Sequence, residues 1–305
     1  ASSFHQGEAD PTPTITGTTG GTFSATPSGL SINTSTGTID LDASTIQSYT
    51  VTYTVSGVSA QQSLDVTAAP FSNEFSFEFD GVDERFTTGL NLGFTSYPNF
   101  SISYWINTNA SFTDFQSYFA IAVNVSYGSG MFNFSAGRLN KTQTKLVVGV
   151  QGNGSASGTT ALDDGQWHHI IQTYSDNGNN TQRVRIYVDG NTTPEVDLAS
   201  TLSYAPLTGD LFIGARNSSN DRAFPGNIDE VSVFNTALGS SDITTIYNSG
   251  TPNDLSSHSN LIAWYRMGDE ANFESGTWTL TNQGSSSNNA TSSNMEEADR
   301  KSDTP

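Results

Sequence analysis

From Tyr49 to Val55 the chain alternates without a break: Tyr49, Val51, Tyr53 and Val55 are aromatic or apolar, and Thr50, Thr52 and Thr54 are polar. A two-residue period puts one set on each face of a half-buried strand. Shorter segments of the same kind surround it, and Gly20-Gly21, Ser28-Gly29, Thr36-Gly37 and Ser56-Gly57 break them at hairpin-like spacing. Residues 14–70 are therefore expected to form roughly five or six short strands in a small sandwich. The polar stretch 1–13, ending Pro11-Thr12-Pro13, reads as a linker or arm.

After Ala68-Ala69-Pro70 a second region begins. In EFSFEFDG, Phe75, Phe77 and Phe79 share one face, and Glu74, Ser76, Glu78 and Asp80 share the other. Then come FSISYWINT, YFAIAVN, GMFNFSAG, TKLVVGVQG, QWHHIIQTYS, VRIYVDG, GDLFIGAR and GNIDEVSVFN, most of them bounded by Gly, Asn, Asp or Ser. Asp189-Gly190 is a type I′ turn signal. Successive strands without helical crossovers predict an antiparallel two-sheet sandwich over 71–281. One helix is expected near 240–250, capped by Ser240 or Ser241, with Asp242 at its positive end, Ile243, Ile246 and Tyr247 on one face and Gly250 ending it. The segment 282–305 is poor in apolar residues and reads as a polar tail, ordered only by docking. The fold class is all-β.

Composition adds a compartment. Charged residues are only 13% of the chain, so hydroxyls and amides must make up most of the surface. The balance of 11 basic to 30 acidic residues leaves −19, the wrong sign for nucleic acid or an anionic membrane. With no cysteine, disulfides, thiolate metal sites and cysteine nucleophiles are excluded, and a bacterial or viral source is favoured. No apolar run is long enough to span a bilayer, so membrane insertion is not expected. ASSFHQGEADPTP does not read as a signal peptide, which leaves a removed leader or assembly into a virion as routes outward.

Several motifs carry a family resemblance. GLSINTSTGTIDL resembles a turn of the bacterial Ig-like modules of adhesins, so 14–70 is expected to be Ig-like or cadherin-like. FDGVDERF, FSISYWI, DDGQWHHIIQTYS, RVRIYVDG, GDLFIGAR and GNIDEVSVFNTALGSSDITTIYNSG, in that order, resemble the laminin-G/pentraxin branch of the concanavalin A-like jelly rolls. The resemblance covers about 71–268 and implies a jelly roll with one short helix. The ending NLIAWYRMGDE…NQGSSSNNATSSNMEEAD is similar to surface proteins of marine bacteriophage particles.

For chemistry, the resemblance singles out Asp229. In related sandwiches, including concanavalin-like glucanases, the Asp of this "iDeV" motif holds a calcium ion against the first strand. Carried over, that implies a structural Ca2+ held by Asp229 with Asp80 and Asp83; calcium takes six to eight oxygens, many of them carbonyls. The alternative is that Asp229 accepts backbone N–H bonds. Spacing puts Asp229 on the same face as Val231 and Val233, where an unpaired carboxylate would be costly. The ligand-binding calcium pair of pentraxins has no counterpart, because the corresponding stretches hold only Asp221. His168 and His169 point to opposite faces and cannot chelate one ion, so both read as structural. The nearest approach to the glycosidase signature E-x-D-x-x-E, from Glu195 through Asp197, ends in Ser200. G-x-S-x-G and phosphate-binding Gly-Lys motifs are missing.

Loop aromatics are the remaining candidates, since a sugar's CH face stacks on a ring while amides and carboxylates take its hydroxyls. They are Phe112, Phe115, Tyr127, Tyr204 and Phe224, with Asn217, Asn220 and Asp221 beside the last; the expected ligand site is Asn217, Asn220, Asp221, Phe224 and Tyr127. The reading is a non-enzymatic protein of a cell or virion surface. Its Ig-like spacer carries a head that binds glycan or another host-surface ligand, beside other virion proteins or further copies of itself. A purely structural decoration subunit and a carbohydrate-active enzyme are the rivals.

Overall fold

A computed structural model of the chain describes residues 2–93, 99–110, 118–124, 138–140, 145–150, 154–176, 181–199, 208–216 and 222–305. Among them, strands carry nearly all the regular structure, with one α-helix and one 3-10 turn. The chain divides into two compact units, Ala1–Ser72 and Asn73–Pro305.

In the first unit the alternating segment is the strand Gln47–Val55, paired antiparallel with Val58–Thr67. Ser56 (φ 50°) and Gly57 (φ 81°) supply the two left-handed positions of a type I′ turn between them. Thr22–Thr26 pairs on one side of this hairpin. The other layer is only a second hairpin, Ser31–Ile32 with Ile39–Asp40. It encloses a small core of Ile39, Leu41, Tyr49, Leu64 and Val66. One end of the long strand is therefore covered: Tyr49 is buried, while Val51, Tyr53 and Val55 are half-buried. Residues 1–13 are not all linker. Ser2–His5 forms a parallel strand along Leu64–Thr67, and Phe4 packs on the core. Four residues are too few to show a period in the sequence.

The second unit is the expected sandwich. Its larger sheet has eight strands, in the order Val196–Ala199, Gln182–Val188, Trp167–Asp176, Phe100–Asn107, Pro225–Phe234, Ser76–Asp80 and Arg300–Lys301. Leu261–Tyr265 pairs with the far half of Pro225–Phe234. The facing sheet runs Ile121–Asn124, Thr208–Ile213, Arg85–Gly93, Ala290–Ser293, Thr277–Leu280 and Ala271–Glu274. Every pairing in these two sheets is antiparallel. Phe77 joins the layers, its ring 5.1 Å from Phe86 and 5.0 Å from Trp278 across the core. Asp189 (φ 50°) and Gly190 (φ 69°) form the turn read from the sequence.

The outer face of the larger sheet carries the helix Ser240–Tyr247. Asp242 Oδ2 accepts the Gly239 N–H at its start, and Asn248 (φ 45°) ends it, both displaced slightly from the expected caps. Ile243 and Ile246 are buried, and Tyr247 stacks on Trp105 and His169 at 5.8 Å from each.

The segment 282–305 is part of the sandwich rather than a loose tail. It supplies Ala290–Ser293 to one sheet and Arg300–Lys301 to the other. Ala290 and Met295 enter the core, and Trp278 Nε1 donates to the Glu296 carbonyl at 2.8 Å. Its few apolar residues suffice because side-chain amides bond the backbone, as Asn282 and Asn288 do.

Candidate functional site

Four members of the expected ligand site, Asn217, Asn220, Asp221 and Tyr127, lie outside the described residues, as do Phe112, Phe115 and Tyr204. The fifth is corrected. Phe224 has no exposed surface and is part of the core, and its N–H donates to the Gly214 carbonyl at 2.7 Å. A ring filling the core cannot serve as a sugar platform.

The structure does not bring the three expected calcium ligands together. Asp80 lies opposite Pro225, at one end of the Pro225–Phe234 strand, whereas Asp229 is four residues further along. At about 3.3 Å per residue they are roughly 13 Å apart, too far for one ion. Asp80 accepts the Val82 N–H at 2.7 Å, and the Asp83 carbonyl accepts from Asn294. These residues do not fit a shared calcium.

A β-bulge explains Asp229. The register to Phe100–Asn107 shifts between Asp229 and Ser232, where Glu230 adopts the left-handed φ of 49°. The extra residue reverses the alternation. Asp229 stands opposite Trp105 on the outer face, and Val231 and Val233 keep the core. It is buried, and both oxygens are taken: Oδ1 by the Glu230 N–H at 2.8 Å, Oδ2 by Asn73 Nδ2 at 2.9 Å. Burial, with Glu230 alongside, pushes its carboxyl well above the usual range. Burial also pushes Glu230 up to about 7, although Arg266 and the Trp264 indole N–H both bind it.

The remaining motif residues have structural partners. Glu195 accepts from the backbone N–H groups of Thr159 (2.8 Å) and Thr160 (3.1 Å), and Asp197 holds Arg183 and Arg185. His168 Nδ1 lies 2.8 Å from Asp189, a bond that raises its pKa. His169 is buried beside Ser103, 2.8 Å away, and burial lowers its pKa to about 3.

A site that the sequence reading missed lies at one end of the outer face. Strand register aligns four side chains across four strands. Trp167 is opposite Asn107, Asn107 is opposite Asn227, and Asn227 is opposite Glu78. Residues directly opposite in an antiparallel pair share a face. Three of the four, Asn107, Asn227 and Glu78, line an open cleft of about 420 Å³, whose lining also includes Asp80, Asn109 and Asp303. Trp167 is half-buried, and its Nε1 donates to Asp303 Oδ1 at 3.3 Å. Gly226 lets the walls meet: at φ +136° its Cβ position would be 2.4 Å from the Asn107 carbonyl oxygen. Thr108 ties the rim down through the Pro225 carbonyl at 2.7 Å. Three amides and three carboxylates thus converge on a polar trough, with the partly exposed Trp167 ring beside it through Asp303, and they offer the donors and acceptors that a hydroxyl-rich ligand can use. The quartet is spread over four segments, so only the register reveals it.

Comparisons with known proteins come down on the same fold. A family model described as the concanavalin A-like lectin/glucanases superfamily matches residues 79–244, over half of the chain. Among solved structures, a candidate carbohydrate-binding protein from Bacteroides ovatus aligns with a TM-score of 0.52 at 17% identity, covering 92% of this chain and 78% of that one. A heptameric SAP-like pentraxin from Limulus polyphemus aligns at 0.40 and 13% identity, over 59% of this chain and 84% of its own. The mouse laminin α1 LG4-5 domains give 0.38 and 16%, over 56% and 44%. No curated protein matches.

Proposed function

Since the chain belongs to the concanavalin A-like lectin/glucanase superfamily, we propose that its second unit is a non-enzymatic binding head that takes glycan in the cleft lined by Asn107, Asn227 and Glu78, beside Trp167. The observation that carries this reading is the alignment of one ring, two amides and a carboxylate on one face. A ring receives the apolar face of a sugar, and amides and carboxylates take its hydroxyls. The carbohydrate-binding description of the Bacteroides ovatus protein is in line with it.

Glu78 and Asp80 give the rival enzymatic reading a foothold, because residues two apart on a strand stand about 6.6 Å apart on one face, within the glycosidase range. Glu78, however, is exposed and ion-paired to Lys301 at 2.9 Å. A glycosidase acid is instead buried to hold its proton.

The proposed setting is the surface of a cell or of a phage particle, with the first unit as an Ig-like spacer. It rests on the resemblances of 29–41 and 260–299 and on the acidic, cysteine-free composition. Many copies on one particle would multiply weak sites into useful avidity.

A glycan array probed with the full chain tests the head. Trp167→Ala and Asn227→Ala are expected to weaken its best hits roughly tenfold or more, the effect of losing about 1.4 kcal/mol. Full binding by both variants overturns the cleft as the site, and release of shortened sugars overturns the non-enzymatic reading.

A further inference from the structure

The geometry points to a ligand class: this cleft selects neutral and amino sugars and turns away acidic ones. The inference rests on the glycan-binding reading above and deepens it. The described lining holds three carboxylates, Glu78, Asp80 and Asp303, and neither a lysine nor an arginine. Lys301, the cation beside Glu78, is already paired to it at 2.9 Å. An arriving carboxylate or sulfate would meet the negative charge of Asp80 and Asp303, with no guanidinium fork in the described lining to receive it. The whole chain, at −19, adds repulsion of the same sign.

The amides of Asn107, Asn109 and Asn227 both donate and accept, so they serve any hydroxyl and do not set charge preference. The carboxylates do. Asp80 and Asp303 are exposed, and an ammonium in place of a hydroxyl or an acetamide would gain charge-assisted bonds to them. Rejection of acidic sugars by like charge is specificity through a repulsive element, independent of how well any sugar stacks on Trp167.

The test uses the full chain and three tetrasaccharide probes: glucosamine, its N-acetylated form and galacturonate. The first two share a backbone and differ in charge. At about 20 mM salt the glucosamine probe is expected to bind up to about fivefold tighter than the N-acetylated probe, the upper range for exposed ion pairs. The galacturonate probe binds weakest. At about 0.5 M salt the amino-sugar advantage shrinks to within about twofold, because exposed charges are screened. Asp80→Asn and Asp303→Asn should each narrow the ratio between the first two probes at low salt. Galacturonate binding as tight as the N-acetylated probe, with or without added calcium, overturns the inference and leaves glycan binding standing. An amino-sugar advantage that ignores salt and both variants overturns it as well. Binding of none of the three at millimolar concentration rejects this cleft as a sugar site, and the inference fails with it.

Discussion

The indole N–H of Trp264 is held by Glu230, a carboxylate that reaches it from a left-handed backbone position in the bulge. Glu230 is almost completely buried, and burial raises its pKa from 4.5 to about 7. The folded state therefore binds a proton that the unfolded state has released between those two values. Stability from this group is present below about pH 4.5 and is lost as pH rises through about 7.

Glu230→Gln removes that titration and keeps the side chain's shape. The melting temperature of the wild type relative to this variant should be higher at pH 5 than at pH 8, with a linkage limit of about 3 kcal/mol. Subtracting the variant cancels groups that do not interact with Glu230, such as His169, whose lowered pKa acts in the opposite direction between about 3 and 6.5. A difference that stays flat with pH would show that Glu230 titrates normally.

Asp229 and Asn73 make a second buried relationship with a mutational consequence. Asn73 Nδ2 donates to Asp229, while Asn73 Oδ1 is buried without a hydrogen-bond partner. In Asp229→Asn the Asn73 amide can turn over, so that its oxygen accepts from the new amide and a costly buried carboxylate disappears. The variant should match wild-type stability or exceed it by up to about 1 kcal/mol. Neither calcium nor a chelator should move either melting curve. A chelator that destabilises the wild type and not the variant would restore the calcium expectation.

Gly214 sits at φ +86°, and a Cβ there would fall 2.2 Å from the Phe79 ring. Gly276 has a similar φ of +80° with nothing within 4 Å. Both positions favour glycine, but only the first is also packed against the core. Gly214→Ala should cost about 2–4 kcal/mol from ring displacement and backbone strain, against about 1 kcal/mol for Gly276→Ala. Equal losses in chemical denaturation would mean that the Phe79 ring has room to move.

The period-2 run through Phe77 marks a core strand, because burial of one face imposes that pattern directly, whereas Phe100–Asn107 and Trp167–Asp176 are buried on both faces and are legible only as apolar segments of strand length. Turn chemistry was equally direct at Asp189-Gly190. Asp229 was assigned to the wrong face because one left-handed residue reverses the parity, and Glu230 looks no different in sequence from an ordinary strand residue. Phe224 was read as a loop ring because polar neighbours flank it, yet core membership is decided by what packs over it. The cleft was invisible for a different reason: Trp167, Asn107, Asn227 and Glu78 are each unremarkable alone, and only strand pairing places them in a row.

Composition reads 282–305 as a polar tail ordered only by docking, yet Arg300–Lys301 closes the edge of the larger sheet against Ser76 and Phe77. Arg300 lies 3.6 Å from the centre of the Phe75 ring, and Ser76 Oγ donates to the Asp303 carbonyl at 2.6 Å. Deleting 297–305 should therefore lower the melting temperature of the second unit by several degrees and uncover the backbone of an edge strand, raising aggregation. It should also weaken glycan binding, because Asp303 lines the cleft. Asp303→Ala separates the two effects, since the sheet pairing and the Asp303 carbonyl remain in place. That variant should keep the wild-type melting temperature within about 2 °C and still lose affinity, as expected of an exposed side chain outside the core. If the deletion leaves both melting and binding unchanged, the segment is only docked on the sandwich and the cleft does not extend to Asp303.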